Sequence, residues 1–219
     1  MILAPFAEIA EHDGRILALA VQEVDDSSFM VATGGSDYTL NVYQVKEHSV
    51  SKLWSQMNAH YGLELIILIM NRIVTAAAFG YGENNNLLFT GGYDSVIRVW
   101  DCSCGEFIGE LKSHKQRINA LIASHDGKFI VSASADKTVI LWDIFELEPI
   151  AMFSCEEECS SIVMNSEVII CGYLSGVLRV WPMYNNANKH LFIKTEDTNH
   201  AQLDKVQSFR LDWSVCLSK

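Results

Sequence analysis

Apolar positions in this chain come in short runs, each broken by a polar or glycine-containing turn before three helical turns could form. The pattern is clearest between His114 and Asp143. There Asn119–Ser124 is followed by the turn His125-Asp126-Gly127-Lys128, the run Phe129–Ser132, a turn from Ala133 to Lys137, and Thr138-Val-Ile-Leu-Trp142-Asp143. Strand-length runs between tight turns predict three short antiparallel strands with a fourth to follow. The same reading places strands near residues 15–21, 28–33, 38–43 and 51–57, and outer strands at Glu106–Leu111, Pro149–Phe153 and His190–Thr195. Gly80–Asn86 reads as a hairpin turn and Tyr184–Lys189 as a polar loop. Gly34-Gly35 and Gly91-Gly92 read as tight turns where glycine tolerates positive φ.

The runs repeat. Thr90-Gly-Gly-Tyr-Asp94-Ser-Val-Ile-Arg-Val-Trp100-Asp101 aligns without gaps on Ser132-Ala-Ser-Ala-Asp136-Lys-Thr-Val-Ile-Leu-Trp142-Asp143. Thr33-Gly-Gly-Ser-Asp37-Tyr-Thr-Leu-Asn-Val-Tyr43 aligns with both, with Tyr for Trp. A fourth copy, Cys171-Gly-Tyr-Leu-Ser175-Gly-Val-Leu-Arg-Val-Trp181, keeps the Trp and has Ser at the Asp position. Asp94 to Asp136 is 42 residues and Asp136 to Ser175 is 39, at or just under the ~40–45 residues of one four-stranded propeller blade. Asp37 to Asp94, at 57, is too long.

On these residues the chain resembles the WD-repeat family over about residues 10–181. The resemblance implies an all-β propeller of four-stranded antiparallel blades, here about four complete blades with partial strands at both ends, an incomplete or open ring. It also implies that a His before the first strand, a hydroxyl on the second, an Asp in the turn and a Trp on the third form one hydrogen-bonded chain per blade. Carried over, these are His114, Ser132, Asp136 and Trp142; His60, Thr90, Asp94 and Trp100; and His12, Thr33, Asp37 and Tyr43, with Trp181 alone surviving in the fourth repeat. A buried indole N–H and a buried carboxylate need partners, so such a chain locks the turn. His, Ser and Asp together also suggest a hydrolase triad. Three near-copies at the same offsets serve architecture, and no catalytic residue is expected. The divisions that follow are 1–10, the outer strand of an incomplete blade; 11–58, 59–112, 113–154 and 155–196, four repeats with the last degenerate; and 197–219, the start of a fifth repeat around Lys205–Leu211, or a tail.

Within the second division, nine residues, Leu63-Glu-Leu-Ile-Ile-Leu-Ile-Met-Asn71, separate His60-Tyr-Gly from Arg72-Ile73. Without them His60-Tyr-Gly-Arg-Ile matches His12-Asp-Gly-Arg-Ile and His114-Lys-Gln-Arg-Ile. An apolar run in a surface turn is costly in water. It reads as a partner-binding or core-tucked insert, an extra edge strand, or an artefact of the gene model. The partial strands at the two ends lead to the expectation of a fragment, an alternative product or a truncated gene model, whose open blade edges would self-associate.

Composition changes the picture in what it excludes. Sixteen Lys and Arg against 27 Asp and Glu give a net charge of −11, which argues against direct nucleic-acid binding. No apolar run reaches the ~18 residues of a membrane span. Six irregularly spaced cysteines make no disulfide framework, and Cys102 and Cys104 lack a second pair, so neither a metal nor a cofactor is expected and the thiols fit an intracellular, more cytoplasmic than nuclear, protein.

Family members use the rim near the central channel as their partner surface. The residue three after each His sits there: Arg15, Arg72 once the insert is discounted, and Arg117, with Glu158 in the fourth repeat. Ser36, Tyr93 and Ala135, just before each turn Asp, share the rim, as does Asn119 beside Arg117. Three arginines on one face could clamp acidic or phosphorylated segments bidentately, or be solvated rim residues paired with local acids. The expected function is a non-enzymatic scaffold docking other proteins or peptide segments on this face. The alternative is a substrate-recognition or regulatory module of a larger complex, such as a ubiquitin ligase, a trafficking coat or an RNA-processing assembly.

Overall fold

A computed structural model of the chain describes residues 6–47, 49–57, 59, 73–185 and 190–191. The first sheet contains β1 (Ile16–Asp25), β2 (Ser28–Gly35), β3 (Thr39–Lys46) and β4 (Ser49–Met57) in sequential antiparallel order. The second contains β5 (Val74–Phe79), β6 (Leu87–Gly92), β7 (Val96–Asp101) and β8 (Phe107–Lys112), and the third β9 (Ile118–Ala123), β10 (Phe129–Ser134), β11 (Thr138–Asp143) and β12 (Pro149–Ser154). The fourth has three strands, β13 (Cys159–Met164), β14 (Val168–Tyr173) and β15 (Leu178–Pro182). A short ladder of β16 (Tyr184–Asn185) and β17 (His190–Leu191) follows. Among the described residues there is no α-helix, and only one 3-10 turn, Gly82–Asn84.

The sheets are propeller blades packed face to face in chain order, innermost strand β1 beside β5, β5 beside β9, and β9 beside β13. A core lies in each joint. Leu40, Val42, Val74 and Leu88 fill the first, Phe89, Ile97, Ile118 and Ile140 the second, and Val131, Val139, Ile169 and Cys171 the third. Each fully buried branched side chain contributes about 1.5–3 kcal/mol. Strand β10 is buried along its whole length because a blade lies on either face, so its sequence is a continuous apolar and small-residue run with no alternation. Strand β1 alternates instead. Ala18, Ala20 and Gln22 face the second blade, while Leu19 and Val21 are 64% and 54% exposed. In the fourth blade Val163 and Leu178 are 61% and 69% exposed. Among the described residues the array is therefore open, with an apolar flank at each end.

Small residues set how closely the blades approach. A Cβ added at Gly34 would enter Val74 of the next blade, and one at Gly91 would lie 2.6 Å from Ile118 Cγ2. In the third blade the matching position is Ala133, and the residue that matches Val74 and Ile118 is the smaller Cys159. This is why the paired glycines recur, and it differs from the expected turns. Gly34, Gly35, Gly91 and Gly92 lie in strands, and positive φ falls instead on Tyr38, Ser95, Lys137 and Gly176, each directly after the turn Asp or Ser.

Polar side chains also cross the joints. Thr75 Oγ1 donates to Ile118 O at 2.5 Å, and at the equivalent position Asn119 Nδ2 donates to Cys159 O at 3.0 Å. Trp54 Nε1 of β4 donates to Cys102 O at 2.8 Å.

Some expected elements take another form. Residues 6–10 are exposed and form no strand, because no described strand lies beside them to accept a ladder. Tyr184–Asn185, read as loop, pairs with His190–Leu191 in a separate two-stranded sheet, so among the described residues the outer strand expected from His190 does not pair with β15. His60, Arg72, the insert 63–71 and the segment 197–219 lie outside the described residues.

Candidate functional site

In the first three blades the turn between the second and third strands is built around its Asp. In the third blade Asp136 Oδ1 accepts the Thr138 amide at 2.9 Å and Oδ2 accepts the Lys115 amide at 2.8 Å. These bonds hold Lys137 at φ +66, a left-handed conformation costing a side-chain-bearing residue about 1–2 kcal/mol. Asp37 and Asp94 accept the amides of Thr39 and Val96 in the same way. The fourth turn has Ser175 in place of a carboxylate, and the left-handed residue after it is Gly176, which needs no such lock.

The hydrogen-bonded chain continues inward from the turn. Trp142 Nε1 donates to Ser132 Oγ at 2.7 Å, Ser132 Oγ lies 2.7 Å from His114 Nε2, and His114 Nδ1 lies 3.0 Å from Asp136 Oδ2. Trp142, Ser132 and His114 are buried. In the first blade His12 links Asp37 at 2.8 Å and Thr33 at 2.8 Å, the Tyr43 hydroxyl lies by Thr33 and donates to Glu11 at 3.3 Å, and Asn41 also bonds His12. In the second blade Trp100 Nε1 donates to Thr90 Oγ1 at 2.8 Å, and Arg98 pairs with Asp94. The fourth blade replaces the set with thiols. Cys155 falls at the His position, where Tyr173 donates its hydroxyl to the sulfur at 2.9 Å, and Cys171 falls at the hydroxyl position. Trp181 Nε1 is buried without a hydrogen-bond partner, its neighbour being the Cys171 thiol, a weak acceptor.

Burial alone would raise the Asp136 carboxyl, yet bonds from His114, Thr138 and the Lys115 amide outweigh it and hold it well below the usual carboxylate range. A depressed folded-state value gives stability that is present above the unfolded-state value of about 4 and is lost as pH falls through the acid range below it. Thermal melts of Asp136→Asn between pH 6 and pH 2 are therefore expected to fall less steeply than those of the parent chain. An unchanged slope would show that the carboxylate does not brace the fold.

The rim beside these turns is more occupied than three free arginines. The main-chain carbonyls of Arg15, Ile73 and Arg117 accept the amides of Ser36, Tyr93 and Ala135, so Ile73, one residue after Arg72, takes the rim position in the second blade. Arg72 itself lies outside the described residues. Arg15 is exposed, and its guanidinium has no partner among the described residues. Arg117 Nη1 donates to Tyr93 OH at 3.1 Å, Nη2 donates to Glu158 at 3.3 Å, and the guanidinium sits 5.6 Å from the Tyr93 ring centroid. It thus spans three blades. Ser36 Oγ accepts the Arg15 amide at 2.8 Å. Ala135 is buried and Asn119 is committed to Cys159 O, so neither presents a free side chain. Two features escaped the sequence reading. Leu174, at the position equivalent to Tyr93, is 84% exposed, and Arg179 bridges Glu156 at 2.9 Å while stacking 5.4 Å from the Tyr173 ring. The repeat alignment alone could have flagged Leu174.

The family model described as "WD domain, G-beta repeat" matches residues 70–101 and 105–143. Among curated proteins, the Nuclear distribution protein PAC1 of Arthroderma benhamiae is 25% identical over 146 residues, 62% of this chain and 32% of that protein. The protein of the same name from Arthroderma otae is 26% identical over 136 residues, 58% of this chain and 30% of that one. This chain therefore spans about a third of the length of these relatives. The crystal structure of the computationally designed Ika4 protein superposes with a TM-score of 0.63 at 22% identity, covering 83% of this chain and 99% of that chain, a likeness of fold.

Proposed function

We infer that this chain, which carries WD repeats and folds as propeller blades, is a non-catalytic scaffold that docks protein segments on the rim formed by Arg15, Tyr93, Arg117 and Leu174. WD repeats in general bind other proteins, and no helix among the described residues is long and apolar enough to cross a membrane. The observation that carries the finer reading is Arg117, stacked on Tyr93 and paired with Glu158, with 42% and 39% of the two charged side chains exposed. An exposed pair of this kind is worth about 1 kcal/mol or less, so an incoming carboxylate or phosphate can take the place of Glu158. Tyr93 and Leu174 supply apolar anchors on either side. The five described cysteines are free, in keeping with an intracellular site of action.

Arg15→Glu combined with Arg117→Glu is expected to abolish capture of partners by the full-length gene product, with folding checked by circular dichroism. Retention of every partner would overturn the rim assignment. The alternative, a recognition module of a larger complex, is favoured by the apolar flanks of β1 and β13–β15, which a neighbouring domain would cover. It predicts that partners lost from the rim variant include subunits of one stable assembly.

A further inference from the structure

We propose that this chain docks head to tail on a second copy of itself, residues 6–10 of each copy adding a fourth strand to the last blade of the other. Among the described residues the fourth sheet has three strands, and β15 forms a ladder on one side only, with β14. An open edge of this kind is a template for a strand from another chain.

Residues 6–10 hold the sequence position of an outer strand. β8 (Phe107–Lys112) closes the second blade and ends two residues before His114, as residues 6–10 end two before His12. Leu111, three before His114, is buried in one cluster with Ile118, Ile130 and Trp142 of the third blade. Ile9, three before His12, lines a cleft with Ile16, Val31 and Tyr43, the matching residues of the first blade. The segment is thus already seated on its own first blade, and Ile9 is still 43% exposed.

The repeat register says what it meets. Within the second blade Ile97 pairs with Leu111, and Arg98 with Glu110. The same offsets set Leu178 of one copy opposite Ile9 of the other, and Arg179 opposite Glu8. Leu178 is 69% exposed, and the salt-bridge partner that Arg179 now has, Glu156, is an exposed side chain. An apolar pair and an opposite-charge pair directly across a ladder both stabilise it.

The two open flanks also match as the internal joints do. Gly172 pairs with Ser161 as Gly34 pairs with Ala18 and Gly91 with Ala76, and Ile16 stands where Val74 and Ile118 stand. Docking Gly172 against Ile16 of a second copy repeats the fit of Gly34 to Val74 and of Gly91 to Ile118. Thr75 Oγ1 reaches Gly91 O in its own blade at 3.1 Å and Ile118 O across the joint at 2.5 Å. Ser160 Oγ, at the equivalent place, already reaches Gly172 O at 3.0 Å, and the second acceptor there is Ile16 O of the other copy. An unrelated domain would not reproduce these matches. Two copies about a two-fold axis make the contact twice and close a ring of twice the four blades of one chain, within the roughly four to eight that propellers use.

The test is sedimentation velocity of the 219-residue chain at micromolar concentration, with one species expected at twice the 24.5 kDa of a single chain. Deleting residues 1–10 should give a monomer with an unchanged circular dichroism spectrum. Glu8→Arg should weaken the dimer about tenfold, since the pair occurs twice, and adding Arg179→Glu should restore it. Ile9→Cys mixed with Leu178→Cys should form a disulfide between chains on mild oxidation, because opposed residues of an antiparallel pair have Cα atoms within the span of a disulfide. Glu8→Cys mixed with Leu178→Cys, one residue out of register, should form none above the background of the parent chain. A monomer, a series of larger species, a dimer indifferent to the deletion, no rescue by the second charge change, or cross-links that are absent or indifferent to register would each overturn the proposal.

Discussion

Gly127→Ala is expected to lower the melting temperature by roughly 6–12 °C, equivalent to about 3 kcal/mol in a chain of this size. Gly127 has φ +74, and a Cβ there would run into the Tyr81 carbonyl oxygen and lie 3.0 Å from its carbon. Backbone cannot rotate away as a side chain tip can, and the Tyr81 carbonyl is itself held by the Asn84 amide at 3.0 Å. Left-handed strain of about 1–2 kcal/mol therefore adds to an overpacking cost of about 1–3 kcal/mol. Gly176→Ala is the control. Its φ is +85, but nothing lies within 4 Å of the added Cβ, so it should lose only the strain. Differential scanning fluorimetry compares the two directly, and equal losses would mean that the contact between the second and third blades at Tyr81 is not closed in solution.

Trp142→Ala is expected to be costlier still, about 4 kcal/mol. The indole is fully buried, it sits edge-on to His114 with ring centroids 6.1 Å apart, and it satisfies Ser132. Its loss opens a cavity and removes the donor to a buried hydroxyl that then keeps only His114 and the Ile140 carbonyl as partners. Trp181→Ala should cost about half as much, since Trp181 is partly exposed and its N–H contributes no hydrogen bond. Urea denaturation of the two variants measures the difference. If they proved equal, the hydrogen-bonded chain would add nothing to the third blade beyond apolar burial.

The strands were legible because they recur in all four repeats at constant offsets, and the His–Asp bonds of the first and third blades because His and Asp keep one spacing there. What escaped lies between repeats or departs from the offset. Asn119 looked like a rim residue because nothing in its own repeat uses it, whereas its partner is the backbone of Cys159 in the next blade. Arg72 looked equivalent to Arg117 because Arg-Ile recurs, but the bond from Tyr93 N to Ile73 O sets the register one residue later. The glycine pairs look like turn formers in sequence, and only the adjacent Val74 and Ile118 show why a side chain is excluded.

The joints Gly34 with Val74, Gly91 with Ile118, and the matching pair Ala133 and Cys159 balance a smaller residue against a larger one, and the balance changes along the stack. The four modules are thus not interchangeable parts. Transposing the third ahead of the second would bring the methyl of Ala133 against Val74, where only glycine fits, while Gly91 beside Cys159 would leave a void. The order of the repeats is written into their seams, and a recombination event that shuffled them would have to alter both sides of a seam at once.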